Sequence, residues 1–336
     1  MMGADRPSAT RSIPVEPAGA RAGLLRPDIV PTAVVLAATA ALIVGLKLSI
    51  PSFGSLGQMT AILITAIFLI VASFGQGLVI LVGGIDLSIG AVMGIGGMIV
   101  ANMTRGSDPA LAYALPIALL CCSGVGVING LGVALARVPP FVMTLSSATT
   151  FFGVALGLTA GSSQQSVAPA LQRFMAGGWL GVPLPIVFIV LFAIAAVLFQ
   201  NCSATGRHLY ALGSSPKAAR ILGLPVAALT IVVYAISGFC AGTAGVLLAG
   251  YSSSATLDMG NALLMPTIAA VVIGGARVTG GAGLYAGTLA GALFLSTLST
   301  AITVLSLSQG LRSVIQGGVI ILALLLQSRQ SDRRTT

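Results

Sequence analysis

Charge is what this sequence has least of. Only 7% of its residues are Asp, Glu, Lys or Arg, against about 25% in a soluble domain, so the chain cannot keep an ordinary water-facing surface. Aromatic residues are scarce too, at 5%, with one Trp and one His. The lone His208 has no carboxylate or Cys cluster beside it, so neither a metal site nor a catalytic triad can be assembled there. No GxxxxGK[ST] run occurs, which excludes phosphate binding in the P-loop manner. An intramembrane Ser hydrolase would need an embedded base, and none is embedded. The ladder of embedded Asp, Glu, His or Arg that relays protons in pumps and carriers is missing as well. Cys121, Cys122, Cys202 and Cys240 show neither zinc-ligand nor disulfide-framework spacing and read as small apolar residues. The net charge of +9 comes from basic residues scattered at segment ends, which excludes nucleic acid as a partner.

What the chain has instead is apolar length. Hydrophobic residues make up 56% and mean hydropathy is +1.05, so lipid is the main solvent. With about 20 residues per crossing, apolar segments fall at 30–50, 58–82, 87–103, 110–136, 141–160, 179–200, 225–250, 262–276, 283–305 and 311–328. This predicts an all-α polytopic membrane protein with about ten transmembrane helices. The segments at 87–103 and 262–276 are short, and one of them is a candidate re-entrant or broken span. The 43 glycines predict closely packed helices. Residues 1–29 are polar and rich in Arg, Pro and Ala, without a signal peptide's apolar core, and read as a disordered cytoplasmic tail. The membrane-embedded body is expected over 30–328, with a second tail at 329–336.

Basic residues set the orientation. With both termini cytoplasmic, Arg6, Arg11, Arg21, Arg26, Arg137, Arg207, Lys217, Arg220, Arg277, Arg329, Arg333 and Arg334 fall inside, and Lys47, Arg105, Arg173 and Arg312 outside, a ratio of 12 to 4. One miscounted crossing near the middle would erase that bias. A weak internal similarity joins the run from Val82 to Ala91 with that from Ile273 to Ala282, each between two spans; it fits either an internal repeat or two glycine-rich helix ends alike by chance.

Three polar islands interrupt the apolar sequence. The longest is a loop over 201–224, expected on the cytoplasmic side. Within it Ser215 suits an N-cap, Pro216 a first helical turn and Gly223 a left-handed helix end, so a capped helix of under ten residues is predicted there. Alone in water it would not be stable. Ala218, Ala219, Ile221 and Leu222 give it a small or apolar surface edged by Lys217 and Arg220, suited either to a partner's groove or to folding back on the bundle. The second island is Gly83 to Ser88. Asp86 or Ser88 there either caps the helix that follows or acts directly in gating or solute binding. The third is Asn129-Gly130 within a span, then Thr144, Ser146, Ser147, Thr149 and Thr150 on the next. These side chains either bond to backbone and neighbouring helices or line a wet path.

In order along the chain, Val82-Gly83-Gly84-Ile85-Asp86-Leu87-Ser88-Ile89-Gly90, Asn129-Gly130, Pro140-Phe141 with Thr144-Leu145, Thr205-Gly206-Arg207 to Tyr210-Ala211-Leu212-Gly213, Ala218-Ala219 with Leu222-Gly223, and Ile268 to Gly275 followed by Gly280-Gly281 resemble the permease subunits of bacterial ABC importers for monosaccharides, the ribose/xylose/autoinducer-2 type. The matches run from about residue 76 to 326. Leu264, Phe152 and the Ser146-Ser147 pair depart from the family's usual residues, so the solute need not be ribose. The resemblance implies a multi-pass subunit of the bacterial inner membrane that forms the path for a sugar or similar polar solute and is not itself an enzyme. It implies a second permease copy, two cytosolic ATPase subunits that hold ATP and Mg, and a periplasmic sugar-binding protein. It also implies that the 201–224 loop holds the ATPase-coupling helix, with Thr205, Gly206, Arg207, Tyr210, Gly213, Ser215, Pro216, Ala218, Ala219 and Gly223 as contact candidates. Asp86, Ser88, Asn129, Thr144 and Ser147 are pathway or gating candidates, and Gly83, Gly84, Gly274, Gly275, Gly280 and Gly281 packing glycines. No metal and no catalytic residue is expected in this chain. The rival reading is a stand-alone secondary carrier or facilitator for a small polar solute.

Overall fold

The computed structural model describes residues 29–51, 53–159 and 165–332. The predicted N-terminal tail, apart from Ile29, and residues 333–336 lie outside the described residues. Along the chain run α1 (Ile29–Ser49), α2 (Leu56–Leu81), α3 (Ile89–Thr104), α4 (Leu111–Ala134), α5 (Pro140–Leu158), β1 (Gln165–Ser166), α6 (Pro169–Ala176), β2 (Gly178–Trp179), β3 (Val182–Pro183), α7 (Leu184–Cys202), α8 (Ala204–Ser214), α9 (Pro216–Ile221), α10 (Val226–Ser252), β4 (Ser254–Ala255), α11 (Asn261–Ile273), α12 (Tyr285–Val304) and α13 (Gln309–Asp332). Each of the ten predicted apolar segments falls on one of these helices. Seven are long and apolar enough to cross a membrane, while α3 and α11 are shorter.

Several boundaries differ from the sequence reading, each for a local reason. The segment expected from residue 179 starts as a helix only at Leu184, because β2 and β3 pair antiparallel as a hairpin. The segment expected to end at 276 stops at Ile273 because Gly275 takes a φ of +94°, open at little cost only to glycine. The C-terminal tail expected from 329 begins inside α13, which continues to Asp332. The helical expectation also missed a second antiparallel ribbon, β1 with β4.

Burial ranks the helices by place. Of the apolar window in α2, 78% is buried, and in α10, 61%, whereas α1 and α5 are each 11% buried. The two central helices touch through small residues: a Cβ on Gly75 of α2 would lie 2.7 Å from the Ser237 backbone of α10. Where lipid tails are as apolar as Leu, such close approach is the main source of helix affinity.

Two ends of the bundle are defined by contacts between distant turns. At one end the turn after α2, the turn after α11 and α8 meet: Gly281 N–H donates to Leu81 O at 2.9 Å, and Tyr210 Oη–H to Gly283 O at 2.6 Å. At the other, β4 pairs with β1, and Asp108, beyond α3, accepts from Arg173 and from the Ala170 backbone of α6. The Arg173 guanidinium, then the Ala170 N–H, hold the Asp108 carboxyl below the usual carboxylate range.

Candidate functional site

The loop over 201–224 folds as two helices joined at Ser215, where one had been predicted. Ser203 caps α8 by accepting from Gly206 N–H at 2.8 Å, and Ser215 caps α9 by accepting from Ala218 N–H at 3.2 Å. At the end of α9, Gly223 takes a φ of +75°, and Gly223 N–H and Leu224 N–H return to Arg220 O and Ala219 O, both at 3.0 Å. This pair of bonds is the Schellman closure that a C-terminal Gly allows. Proline at the first position, a Ser cap and a Gly stop together fix a helix of six residues.

The predicted contact residues divide into two groups. Gly206 is buried against the end of α7, with Phe199 O 2.7 Å from where its Cβ would be. Gly213 packs on Gly281 N and Leu81 O, and Tyr210 bonds Gly283. Thr205 is half-buried. These residues dock α8 on its own bundle. Arg207, Pro216, Ala218 and Gly223 are exposed, with Lys217 and Arg220 beside them. Ala219, expected on the contact surface, is 1% exposed; in a six-residue helix one face must bear on the chain beneath, and Ala219 is that face. Ile221 and Leu222 are 79% and 74% exposed. A short helix is thus held out by α8 and shows an apolar pair, uncovered by the described residues, following Lys217 and Arg220 in sequence.

The packing glycines bring the two glycine-rich turns together beneath α8. Gly83 and Gly84 N–H return to Ile80 O and Val79 O, both at 2.9 Å, and Gly275 and Ala276 N–H to Val272 O and Val271 O at 2.9 and 3.2 Å. The two similar sequence runs therefore end α2 and α11 with the same closure. Gly280 lies against the backbone of Gly83 and Gly213, and Gly274 against Gly287 and Thr288 of α12.

Above this turn the chain is non-helical from Gly84 to Ser88, and its polar residues are gathered. Asp86 is 1% exposed. Its Oδ1 accepts from Ser88 N–H at 2.9 Å and Ser88 Oγ–H at 2.6 Å, and its Oδ2 from Ser237 Oγ–H of α10 at 2.7 Å. Asn129 of α4 donates to Ser88 Oγ at 3.0 Å. Thr144 of α5 accepts from Leu87 N–H at 3.0 Å, and its own hydroxyl lies 3.2 Å from Ile85 O and 3.0 Å from Pro140 O. Ser147 donates to Thr144 O at 3.0 Å. No Lys, Arg or His among the described residues pairs with Asp86. Three donors and the N-terminal end of α3 supply the compensation a buried carboxylate needs. Asp86 closes a local turn on Ser88, and neither Asp86 nor Ser88 makes a side-chain cap bond to the first turn of α3. Four candidates on two helices and one turn, with Ser237 of α10, thus form a single network.

α3 and α11 begin at the same depth from opposite directions. A Cβ on Gly90 would lie 3.2 Å from Gly260 O and from Asn261 Oδ1, so the two helix N-termini meet inside the bundle. Gly90 stands 14 residues before the end of α3 at Thr104, about 20 Å along the axis at 1.5 Å per residue. The non-helical segment from 255 to 260 therefore runs down beside α3. It packs on α5: Leu257 and Met259 cluster with Phe152 and Ala155. Asp258 on this segment is exposed, as are Asn261 and, on α5, Ser146, Thr149 and Thr150. Sequence reading passed over Asp258; its place within a dozen residues of a short apolar segment was the available signal. The hydroxyls of Thr149 and Thr150 bond back to Leu145 O and Ser146 O. Among the described residues no group of three His, Cys, Asp or Glu could hold a metal ion.

A broken-helix bundle with a capped helix held out at one end is the form of a transport subunit, and comparison with known proteins decides which. A family model described as the branched-chain amino acid transport system permease component matches residues 58–324. The chain belongs to this permease family. The ribose import permease of Bacillus subtilis is 35% identical over 262 residues, 77% of this chain and 81% of that protein. The D-allose transport system permease of Escherichia coli is 32% identical over 281 residues, 83% and 86% of the two. An autoinducer 2 import system permease of Photorhabdus laumondii is 31% identical over 257 residues, 75% and 77%. No solved structure matches. The permease is accordingly a multi-pass inner-membrane protein and the translocation subunit of an ATP-driven importer, a transport component and not an enzyme. The stand-alone carrier reading is set aside.

Proposed function

We propose that the permease crosses the membrane ten times with both termini cytoplasmic and carries a monosaccharide. Two copies, or this chain and a related permease, enclose the path. Two cytosolic ATPase subunits, which hold ATP and Mg, engage the end bearing α8 and α9, and a periplasmic sugar-binding protein delivers solute at the end bearing α6. The relatives named for ribose, allose and autoinducer 2 support the solute class, and the 12 to 4 division of basic residues supports the orientation.

The observation that carries this reading is α9. A bundle without an energy source of its own holds out a capped helix whose Ile221 and Leu222 have none of the described residues packed over them, the arrangement a helix-in-groove contact requires. The path is assigned to the exposed face of α5, with Ser146, Thr149 and Thr150, continued by Asp258 and Asn261. Hydroxyls and a carboxylate on a helix surface at membrane depth belong against water or a second copy rather than lipid. Asp86, Ser88, Asn129, Thr144 and Ser147 then hold the inner gate in shape and do not touch solute.

The test is import of a radiolabelled monosaccharide into proteoliposomes that carry the permease with its ATPase and binding-protein partners. Ala218→Glu, on the exposed face of α9, is expected to abolish import while leaving the melting temperature of the purified permease unchanged. Undiminished import by that variant, or accumulation of sugar against a gradient by the permease alone, overturns the reading.

A further inference from the structure

The chain's only tryptophan stands largely uncovered by the described residues. In the hairpin between α6 and α7, Gly178 pairs with Pro183 and Trp179 with Val182, which leaves Leu180 and Gly181 as a two-residue turn. Both have positive φ, +51° and +81°, the arrangement that Asn-Gly ordinarily fills. A leucine held left-handed costs about 1–2 kcal/mol. Yet Trp179 is 66% exposed and Leu180 84%, so that strain obtains no burial within the chain. Local strain that the fold itself does not use points to a contact outside it.

The height of the hairpin says what that contact is. α7 has 19 residues, about 28 Å of helix, close to the roughly 30 Å of a bilayer's hydrocarbon core. Its first residue is tied to the hairpin base, since Leu184 N–H donates to Gly177 O at 3.0 Å. One turn further on, Phe188 meets Phe174 of α6 with ring centroids 6.3 Å apart. The base therefore sits at the hydrocarbon boundary, and the tip, three residues away, reaches at most about 10 Å from it. From Phe174 to Gly206 the sequence holds no Asp, Glu, Lys or Arg, so no charge at the tip draws it into water. An indole with an apolar body and one N–H is suited to the layer between headgroups and acyl chains.

We propose that the Gly178–Pro183 hairpin is a lipid anchor, with Trp179 and Leu180 inserted in the headgroup–acyl boundary of the leaflet at the α6 end. The anchor fixes the height and tilt of α7, and through Phe174 and Phe188 the seat of α6. It depends on the chain spanning the membrane and not on which solute is carried.

The single indole makes the test direct. The full-length permease is reconstituted in phosphatidylcholine vesicles brominated either near the headgroup or near the chain ends, and tryptophan emission is recorded with and without aqueous iodide. The expected result is emission blue-shifted from that of tryptophan in water, strong quenching by the shallow bromines, and weaker quenching by the deep bromines and by iodide. Leu180→Asn, a residue at ease in a left-handed turn, keeps the hairpin but is expected to shift emission to the red and weaken the bromine effect. Emission as in water, with full iodide quenching and no bromine effect, overturns the proposal. So does a blue shift that arises only when a soluble binding protein is added, which would assign the tip to a protein partner.

Discussion

Replacing Gly213 with alanine sets two effects against each other. Gly213 lies in the last turn of α8, so alanine gains about 0.8–1.0 kcal/mol of helix propensity. The added Cβ, however, would sit 2.6 Å from Gly281 N and nearer still to Leu81 O, against an ordinary contact of at least 3.4 Å. Both neighbours are backbone, so neither can rotate away, and α8 must lift by at least 0.8 Å, the difference between those two distances. Overpacking of this kind costs about 1–3 kcal/mol, and the Tyr210 bond to Gly283 that lifting strains is worth about 1 kcal/mol. The loss exceeds the gain by about 1–3 kcal/mol, a factor of roughly 5–150 in the population of correctly seated α8. On the proposed coupling, the ATPase then meets a displaced α9. In proteoliposomes, sugar imported per ATP hydrolysed is expected to fall several-fold for Gly213→Ala. Gly223→Ala, with a φ of +75° but open space around it, should act more weakly. Wild-type coupling in Gly213→Ala would refute the claim that α8 transmits force through the glycine turns.

Ser237→Ala removes one donor to Asp86 and leaves a buried carboxylate oxygen unpaired, for about 1–3 kcal/mol; the melting temperature in detergent should drop, and an unchanged one counts against the network. Tyr210→Phe deletes the 2.6 Å bond to Gly283 O and should raise hydrogen exchange in α8 while sparing α10. The depressed Asp108 carboxyl binds Arg173 and α6 while ionised, so its contribution is complete above the ordinary value of 3.8 and disappears as pH falls through the lower folded-state value. Amide protection in α6, that is exchange corrected for its intrinsic pH dependence, should therefore stay flat from neutral pH to about 4 and fall below it, and Asp108→Asn should show the lower protection at neutral pH and converge with the wild type at low pH.

Apolar length alone placed each of its ten segments on a helix, seven of them long and apolar enough to cross a membrane among the described residues, because an apolar run leaves a pattern that needs no tertiary information. The Ser, Pro and Gly punctuation of α9 was equally plain, since caps act within four residues of themselves. What sequence reading missed depends on neighbours far along the chain. Ala218 and Ala219 look alike in sequence, and only the packing of α9 on its own loop makes one exposed and the other buried. α8 was invisible as a separate helix because its capping residue, Ser203, follows α7 without a break in periodicity. The hairpin at Gly178–Pro183 has apolar residues throughout, so it merged with the span behind it. Asp86, Ser88, Asn129 and Thr144 were each identifiable as polar residues in an apolar setting, but their union with Ser237 spans 151 positions and has no local sign.

The descending stretch from 255 to 260 has one more consequence. If a second copy covers this stretch as proposed, a protomer left alone in a bilayer would turn Asp258 toward acyl chains, at about 2.5–3.5 kcal/mol if the carboxylate reached mid-depth. Assembly that shelters this carboxylate recovers that energy, so an orphaned copy is the less comfortable species, and the amount of permease a membrane retains should follow the supply of its cover.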